Sequence, residues 1–344
     1  MIERTEVPTR TETWRRILVT CSAPKGARID PISRWLVVTR ACVQPMTLTS
    51  AAVAGLLAVR APGFEWGLFF LAAVGLVVAH AANNMINDYF DLGAGLDTEA
   101  YPRALYAPHP VLSGLVTKGG LLRAIAVANV IDAAIMVALF SFRGWPVIAF
   151  ALGGLFISVF YVAPPLRLKH RGLGEPSVFI IWGPLMVGGT YYSAVGTIPI
   201  EVILASLPYA FLVASVLMGK HIDKAPWDEP ENIRTVPVLL GDSRSRAVTA
   251  VGMLAFYLSI AVLVTTGILS IFTLVAFAAL PVYWKARRAY AEPKPEAPPE
   301  DYPLWPLWFA PWAFLHARRA GALFVLGLTM GALWPSQILQ TPVF

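Results

Sequence analysis

Charged residues are scarce in this sequence, and cysteine is almost absent. Asp, Glu, Lys and Arg make up 14% of the 344 residues, whereas hydrophobic residues make up 57%. Soluble domains carry about 25% charged residues, so this balance is typical of a chain dissolved in lipid. The two cysteines, Cys21 and Cys42, lack the spacing of a metal or redox site, and a cytoplasmic Cys21 argues against a disulfide. The composition therefore predicts a membrane protein in which neither cysteine has a role.

Long apolar runs follow one another along most of the chain. A transmembrane helix needs about 20 mostly apolar residues. Nine runs approach or reach this length, at 42–59, 66–82, 121–140, 145–163, 177–195, 202–218, 247–266, 268–284 and 320–336. The pattern predicts an all-α membrane protein with about nine transmembrane helices.

The distribution of positive charge predicts the orientation of these spans. Lysine and arginine concentrate in cytoplasmic loops. With a cytoplasmic amino terminus, nine spans place every lysine and arginine except Arg60 and Arg143 on the cytoplasmic side, and the carboxyl terminus outside. We therefore expect an integral protein of a prokaryotic cell membrane, in contact with membrane lipid. The net charge of +6 reflects this asymmetry, so no nucleic-acid partner is expected, and the oligomeric state is left open.

Two boundaries follow from the same pattern. Residues 1–40 are too polar and too long for a cleaved leader, and they are predicted to form a basic cytoplasmic arm. Residues 41–340 are predicted to form one transmembrane domain. Within it, the proline-rich range 289–306 cannot be helical throughout and is predicted to be a flexible cytoplasmic loop.

Polar oxygens cluster directly after the second apolar run. A continuing helix would place four of these side chains near one another, and the four are Asn84, Asn87, Asp88 and Asp91. Gly93 and Gly95 then allow the chain to turn and to return Asp97 to the same place. Clustered carboxylates with amide neighbours suit Mg²⁺, which completes its coordination shell with water and phosphate oxygens. The segment predicts a magnesium site, and a solvated acidic loop is the alternative.

A second acidic segment, 221–232, follows the sixth run. Asp223 and Asp228 are five residues apart, which separates them by about 140° on an ideal helix. They can share a site only if the helix breaks, and Pro226 predicts such a break. In the alternative interpretation these acids pair with nearby basic residues in a loop, namely Lys220, Lys224 and Arg234.

Three motifs carry a family resemblance. They are N-x-x-N-D-x-x-D-x-x-x-x-x-D at 84–97, Y-V-A-P-P-L-R-L-K-H-R-G-L-G-E at 161–175 and T-V-P-V-L-L-G at 235–241. Together with the nine apolar runs, they resemble the UbiA superfamily of intramembrane prenyltransferases. The first motif combined with the 168–175 run resembles the menaquinone-type branch, which prenylates dihydroxynaphthoate.

The resemblance implies a helical bundle around a central cavity that is open to lipid and capped by cytoplasmic loops. It implies Mg²⁺ as cofactor, with a prenyl diphosphate and an aromatic acceptor as substrates. Asp88, Asp91, Asp223 and Asp228 are then the catalytic residues, and together with Asp97 they are the metal ligands. The residues expected to bind substrate are Asn84, Asn87, Arg103, His109, Lys118, Arg167, Lys169 and Lys220.

The chain departs from the family pattern at two places. His109 stands where relatives carry a phosphate-binding arginine, so either His109 or Arg103 is expected to take that role. Relatives also carry two carboxylates four residues apart in the second motif, but the residue four before Asp228 is Lys224. We expect Lys224 to form a salt bridge with Asp228 and to weaken metal binding there.

Two other functions are compatible with some of these features. An intramembrane terpene cyclase would keep the diphosphate site and need no aromatic acceptor. A lipid or ion transporter would use membrane carboxylates as a relay, but the acidic clusters lie at helix ends and no broken helices are predicted mid-bilayer. The prenyltransferase is therefore the leading hypothesis.

Overall fold

The computed structural model describes residues 8–24, 26–300, 302 and 304–334, and this part of the chain is helical and contains no β-strand. In chain order the helices are α1 (Arg10–Thr20), α2 (Pro31–Val38), α3 (Gln44–Ala58), α4 (Trp66–Gly93), α5 (Pro102–Tyr106), α6 (Lys118–Arg143), α7 (Trp145–Phe160), α8 (Gly174–Ile180), α9 (Met186–Val195), α10 (Ile200–Asp228), α11 (Val236–Leu240), α12 (Asp242–Thr265), α13 (Leu280–Ala291) and α14 (Phe309–Leu333). Arg4 and Lys25 of the predicted arm, Pro303 of the proline-rich range, and the ends of the 320–336 span and the 41–340 domain lie outside the described residues.

Six helical stretches in the described part of the chain are long and apolar enough to cross a membrane. They are Ala41–Ala58, Trp66–Gly93, Lys118–Arg143, Gly174–Val195, Ile200–Asp228 and Asp242–Thr265, and each overlaps a predicted span. The remaining predicted spans correspond to α7, to α14, and to a 3₁₀ segment, Ile271–Ala279, that continues into α13. The helical class and the membrane character are confirmed, whereas the count of nine spans and their orientation stay predictions.

Helix α10 runs through the middle of the core. It packs against α12 and α14 on one side and against α8, α9 and the π-helical turn Ile181–Leu185 on the other. Apolar side chains from these helices are fully buried around it, including Leu212, Met253, Phe256 and Phe324. Gly219 lets α10 approach α13 and the start of α14, because a Cβ there would clash with the Tyr290 hydroxyl of α13 and lie 3.0 Å from the Phe309 backbone of α14.

Helices α4 and α10 continue beyond their apolar runs and carry the polar segments with them. α4 ends only at Gly93 and α10 only at Asp228. The predicted break at Pro226 is therefore wrong, since α10 passes through this residue. A proline inside a helix costs roughly 3 kcal/mol, and the contacts of Asp223 and Asp228 described below hold the turn in place.

The basic arm folds back against the bundle. The Trp14 indole N–H donates to the Asp30 carboxylate at 3.1 Å, and Asp30 caps the amino end of α2. Ile17 on α1 is fully buried. This packing places Cys21 and Cys42 in a disulfide, with Cα atoms 5.2 Å apart. The prediction that these cysteines stay unpaired is therefore wrong, because the fold of the arm brings them together.

Candidate active site

A cavity of about 310 Å³ lies at the end of the bundle where α4 and α10 carry their polar residues. Its lining includes ten aspartate, asparagine, arginine and lysine side chains: Arg40, Asn83, Asn84, Asn87, Asp91, Asp97, Arg103, Lys169, Lys220 and Lys224. The arm contributes Val19 and Cys21 to the wall, and the proline-rich range contributes Leu304. Both the arm and this loop therefore help to enclose the cavity.

Asp88 lies beneath this cavity with its side chain fully buried. Nε and Nη2 of Arg103 donate to its two oxygens at 3.1 and 3.2 Å. Arg40 also donates to Asp88. One carboxylate thus orients two guanidinium groups at the cavity wall, an arrangement that suits binding of phosphate oxygens.

Arg40 is a site residue that the sequence analysis missed. It adopts a left-handed backbone conformation, with φ of 52°, where the arm joins the first span. The only sign of this role in the sequence is that a basic residue stands directly before the first apolar run. The sequence analysis counted Arg40 as part of the basic arm instead. Its pairing with Asp88 joins residues 48 apart in the chain.

Asp91, one turn further along α4, accepts a hydrogen bond from the Lys169 ammonium at 2.9 Å. Burial would lower the pKa of Lys169, but Asp91 and Asp228 raise it above its ordinary value, so the ammonium stays charged. Lys118 and Arg167, also predicted to bind substrate, do not reach the cavity. Both are exposed, and the Lys118 ammonium lies 5.3 Å from the centroid of the Tyr89 ring.

The turn after α4 returns Asp97 to the site, as predicted. The backbone N–H groups of Leu96 and Asp97 both donate to the carbonyl of Asp91, at 3.0 and 3.3 Å. This tight turn requires a positive φ at Gly95, where it is 75°. The carboxylate of Asp97 is buried and lines the cavity.

His109 supports Asp97 from behind. Its Nδ1 accepts backbone N–H bonds from Val111 and Leu112, so the proton of a neutral ring is on Nε2, which lies 3.3 Å from Asp97 Oδ2. Burial would raise the pKa of Asp97, but His109 and nearby lysines lower it. Of the two residues considered for the phosphate-binding role, Arg103 lines the cavity and His109 does not.

The oxygens of the first segment fit a magnesium ion. Oδ1 of Asn87 and Oδ1 of Asp97 are buried and have no hydrogen-bond partner among the described residues. Asp88, Asp97 and His109 also offer atoms that all lie within 4.8 Å of one another. The protonated Nε2 of His109 is not available as a ligand. The donor set is therefore made of carboxylate and amide oxygens, which Mg²⁺ prefers.

The second acidic segment is organised differently from the prediction. Both oxygens of Asp223 accept backbone N–H bonds from the first turn of α14, from Phe309 at 3.0 Å and from Ala310 at 2.8 Å. Asp223 is thus a helix cap that lies outside the cavity lining, and its assignment to the metal and catalytic set stays a prediction.

Asp228 and Lys224 are also placed unexpectedly. The Tyr101 hydroxyl donates to Asp228 at 2.5 Å, and the Lys224 ammonium lies 4.2 Å from the centroid of the same Tyr101 ring. Tyr101 therefore stands between the two residues, and the described residues contain no direct Lys224–Asp228 salt bridge. Asp228 is fully buried and lies outside the cavity lining.

Two more groups at the cavity went unrecognised in the sequence. His221 lines the cavity, and its Nδ1 lies 2.7 Å from the carboxylate of Glu175 on α8. Tyr106 on α5 also lines the cavity. Burial would raise the pKa of the Tyr106 phenol, but the nearby cations, chiefly Lys220 and Arg103, lower it to about 8.

We expect the Tyr106 phenol to lose its proton as the pH rises through about 8. Phenolate absorbance is measured during a pH titration of the wild type and of Tyr106→Phe. The difference between the two curves is the titration of Tyr106. Inorganic pyrophosphate should move the midpoint to higher pH, because it neutralises the cations that favour the phenolate. Tyr302→Phe is the control, since burial raises the pKa of Tyr302 to about 12. A Tyr106 midpoint at or above the ordinary tyrosine value would contradict this prediction.

The comparison with known families decides the assignment. The profile of the UbiA prenyltransferase family matches residues 48–302. The chain belongs to the UbiA prenyltransferase family. It is therefore a prenyltransferase, and the resemblance described from its motifs is confirmed. The matched range begins after Arg40, so the arm that supplies this residue lies outside it.

Two relatives of known activity have names that specify a naphthoquinone or naphthoate compound. The chain is 26% identical over 252 residues to a 2-carboxy-1,4-naphthoquinone phytyltransferase of Synechocystis sp., covering 71% of this chain and 78% of that protein. It is 24% identical over 258 residues to a 1,4-dihydroxy-2-naphthoate octaprenyltransferase of Bacillus subtilis, covering 72% of this chain and 80% of that protein.

Solved structures share the fold. A UbiA homolog from Aeropyrum pernix superposes with a TM-score of 0.62 at 18% identity, covering 83% of this chain and 96% of that one. A UbiA homolog from Archaeoglobus fulgidus bound to GPP and Mg²⁺ gives a TM-score of 0.51 at 16% identity, covering 85% of this chain and 99% of that one. The helical UbiA fold is thereby established for this UbiA family member.

Proposed function

We propose that the protein transfers a prenyl group from an isoprenoid diphosphate to an aromatic quinone precursor such as dihydroxynaphthoate, and that it requires Mg²⁺. One observation carries the proposal: Asn87 and Asp97, each with a buried oxygen that has no partner among the described residues, line a cavity that is also lined by arginine and lysine side chains. Oxygen ligands for a cation and donors for phosphate thus meet in a single enclosed space, as ionisation of a diphosphate ester demands.

In this proposal the first acidic segment holds the cation. Asn87, Asp88, Asp91 and Asp97 would provide its oxygen ligands, and the amide of Asn84 is anchored by donation to the Thr39 carbonyl at 3.2 Å. Bound Mg²⁺ would offset the negative charge that develops on the diphosphate as the allylic C–O bond breaks. The assignment of Asp228 to the catalytic set becomes one of positioning, because it lies behind Tyr101.

Basic side chains would bind the diphosphate oxygens. Arg40 and Arg103 are held by Asp88, and Lys169 is held by Asp91. These three groups enter the site already oriented, which reduces the entropy lost on binding. Lys220 completes the set from α10. Residues 41–340 form the prenyltransferase domain in this proposal, and the arm contributes Arg40 to it.

A second cavity would receive the hydrocarbon chain. It has a volume of about 270 Å³ and a mostly apolar wall formed by α4, α6, α7 and α9. The two cavities share five lining residues, which are His80, Asn83, Ser158, Ile181 and Trp182. A diphosphate bound in the first cavity can therefore extend its prenyl chain into the second. The Trp182 ring lies at the junction, where its π face can stabilise an allylic cation.

The named relatives support an aromatic acceptor. Both the cyanobacterial phytyltransferase and the Bacillus octaprenyltransferase have names that specify a naphthoquinone or naphthoate compound. His221, oriented by Glu175 at the cavity wall, is placed to accept a proton from such an acceptor when the new C–C bond forms.

The test is diphosphate release by the purified protein supplied with Mg²⁺ and geranylgeranyl diphosphate. We expect release only when dihydroxynaphthoate is added, together with a prenylated product identified by mass spectrometry. Lys285→Met, an exposed residue of α13, serves as the control and should behave as wild type. Release without acceptor, accompanied by a cyclic hydrocarbon, would contradict the proposal and favour the terpene cyclase.

A further inference from the structure

Two lysines of α10 line the diphosphate cavity and have no carboxylate partner among the described residues. Lys220 and Lys224 are one helical turn apart and both line the cavity. The other lining cations have partners, because Arg40 and Arg103 bind Asp88 and Lys169 binds Asp91. In the described parts of the chain, no salt bridge reaches either α10 lysine.

Lys224 is the more informative of the two. Its side chain is only 5% exposed, and its ammonium contacts the face of the Tyr101 ring. A cation–π contact offsets part of the loss of hydration, but a buried ammonium without a counter-ion remains unfavourable. A cavity that holds such a group is suited to receive an anion.

The carboxylates near Lys224 cannot readily hold a metal ion. Asp223 uses both oxygens to cap α14. Asp228 accepts a hydrogen bond from the Tyr101 hydroxyl, and neither residue belongs to the cavity lining. Its Oδ2 is buried and unpartnered among the described residues, yet this single atom lies outside the cavity lining. Favourable oxygen ligands are therefore confined to the first segment.

We propose that this site binds one divalent cation and that the ammonium group of Lys224 supplies a second positive charge to the diphosphate directly. The inference rests on the proposed function, because it concerns how the same diphosphate is held. Lys220 acts beside Lys224 on the same face of α10. Because the lysine charge belongs to the protein itself, only one Mg²⁺ ion has to bind. Diphosphate binding should therefore depend on the free Mg²⁺ concentration as expected for a single metal site.

Counting bound Mn²⁺ tests the stoichiometry without any turnover. Purified wild-type protein is equilibrated with Mn²⁺ and inorganic pyrophosphate, and bound Mn²⁺ is measured by electron paramagnetic resonance. We expect one Mn²⁺ per protein, and one again in Asp223→Asn, because Asp223 is not a ligand. Two Mn²⁺ per wild-type protein would overturn the inference and leave the proposed function standing. No binding of either Mn²⁺ or pyrophosphate would overturn both.

The role of Lys224 is tested by pyrophosphate affinity. Loss of a charged hydrogen-bonding group should raise the dissociation constant of pyrophosphate about tenfold or more in Lys224→Met, with one Mn²⁺ still bound. Lys224→Arg should recover most of the affinity, and Lys285→Met on the exposed face of α13 should leave it unchanged. An unaltered dissociation constant in Lys224→Met would overturn the inference, and the retained Mn²⁺ shows that the variant is folded.

Discussion

Replacement of Asp88 by asparagine should reduce the rate of diphosphate release about a thousandfold or more. Removal of one charge-stabilising group from an active site lowers the rate by up to about a thousandfold. Asp88 is fully buried and holds both Arg40 and Arg103. The neutral amide of asparagine has the same shape but cannot compensate two guanidinium charges. Its N–H groups are also donors, so they cannot accept hydrogen bonds from the guanidinium groups. The variant therefore loses a proposed metal ligand and the orientation of two proposed phosphate-binding groups.

Asp242→Asn provides a matched control for this variant. Asp242 on α12 also pairs with an arginine, since Arg246 donates to it at 2.8 Å, but its side chain is 55% exposed. Exposed ion pairs contribute little, so this variant should retain near-wild-type release. Inorganic pyrophosphate should raise the unfolding temperature of Asp88→Asn, because it supplies the anion that the arginines have lost. Release within tenfold of wild type in Asp88→Asn would contradict the assignment.

Removal of divalent metal should abolish turnover, and Mg²⁺ or Mn²⁺ should restore it. The reason is that oxygens of Asn87 and Asp97 have no partner among the described residues, so without a metal ion nothing joins them to the diphosphate oxygens. Asn87→Ala removes one of these oxygens. It should raise the Mg²⁺ concentration for half-maximal activity by at least about tenfold, the lower range for changes around metal ligands.

Asn83→Ala is the matched control for Asn87→Ala. Asn83 lies one turn earlier on α4, and its amide oxygen already accepts a hydrogen bond from Ser158 at 2.9 Å. Its removal should leave the Mg²⁺ requirement unchanged even if it alters binding of the prenyl chain. Full activity after exhaustive chelation would rule out a metal-dependent site in the first segment.

The first acidic segment could be predicted because its information is local. The spacing of Asn84, Asn87, Asp88 and Asp91 fixes their common face once α4 continues, and Gly95 permits the turn that brings Asp97 back. The apolar runs likewise mark the helices, since a segment in lipid must satisfy its own backbone hydrogen bonds. These features need no knowledge of distant parts of the chain.

The second segment could not be predicted because its contacts are distant in sequence. Asp223 caps a helix that begins 86 residues later, and Asp228 binds a tyrosine 127 residues earlier. Helical spacing predicts which residues share a face, but it does not reveal which partner covers that face. The same limitation explains the missed pairing of Glu175 with His221, which are 46 residues apart.

The position of Arg40 makes the arm part of the cavity wall. It is the joint between the arm and the first span, and it is also a partner of Asp88 at the cavity wall. Displacement of the arm would therefore also disturb a positive charge of the cavity wall. A truncation that begins at residue 41 would keep every membrane helix and still behave as an active-site mutant, and a bulky amino-terminal fusion that displaces the arm would weaken diphosphate binding from outside the bundle.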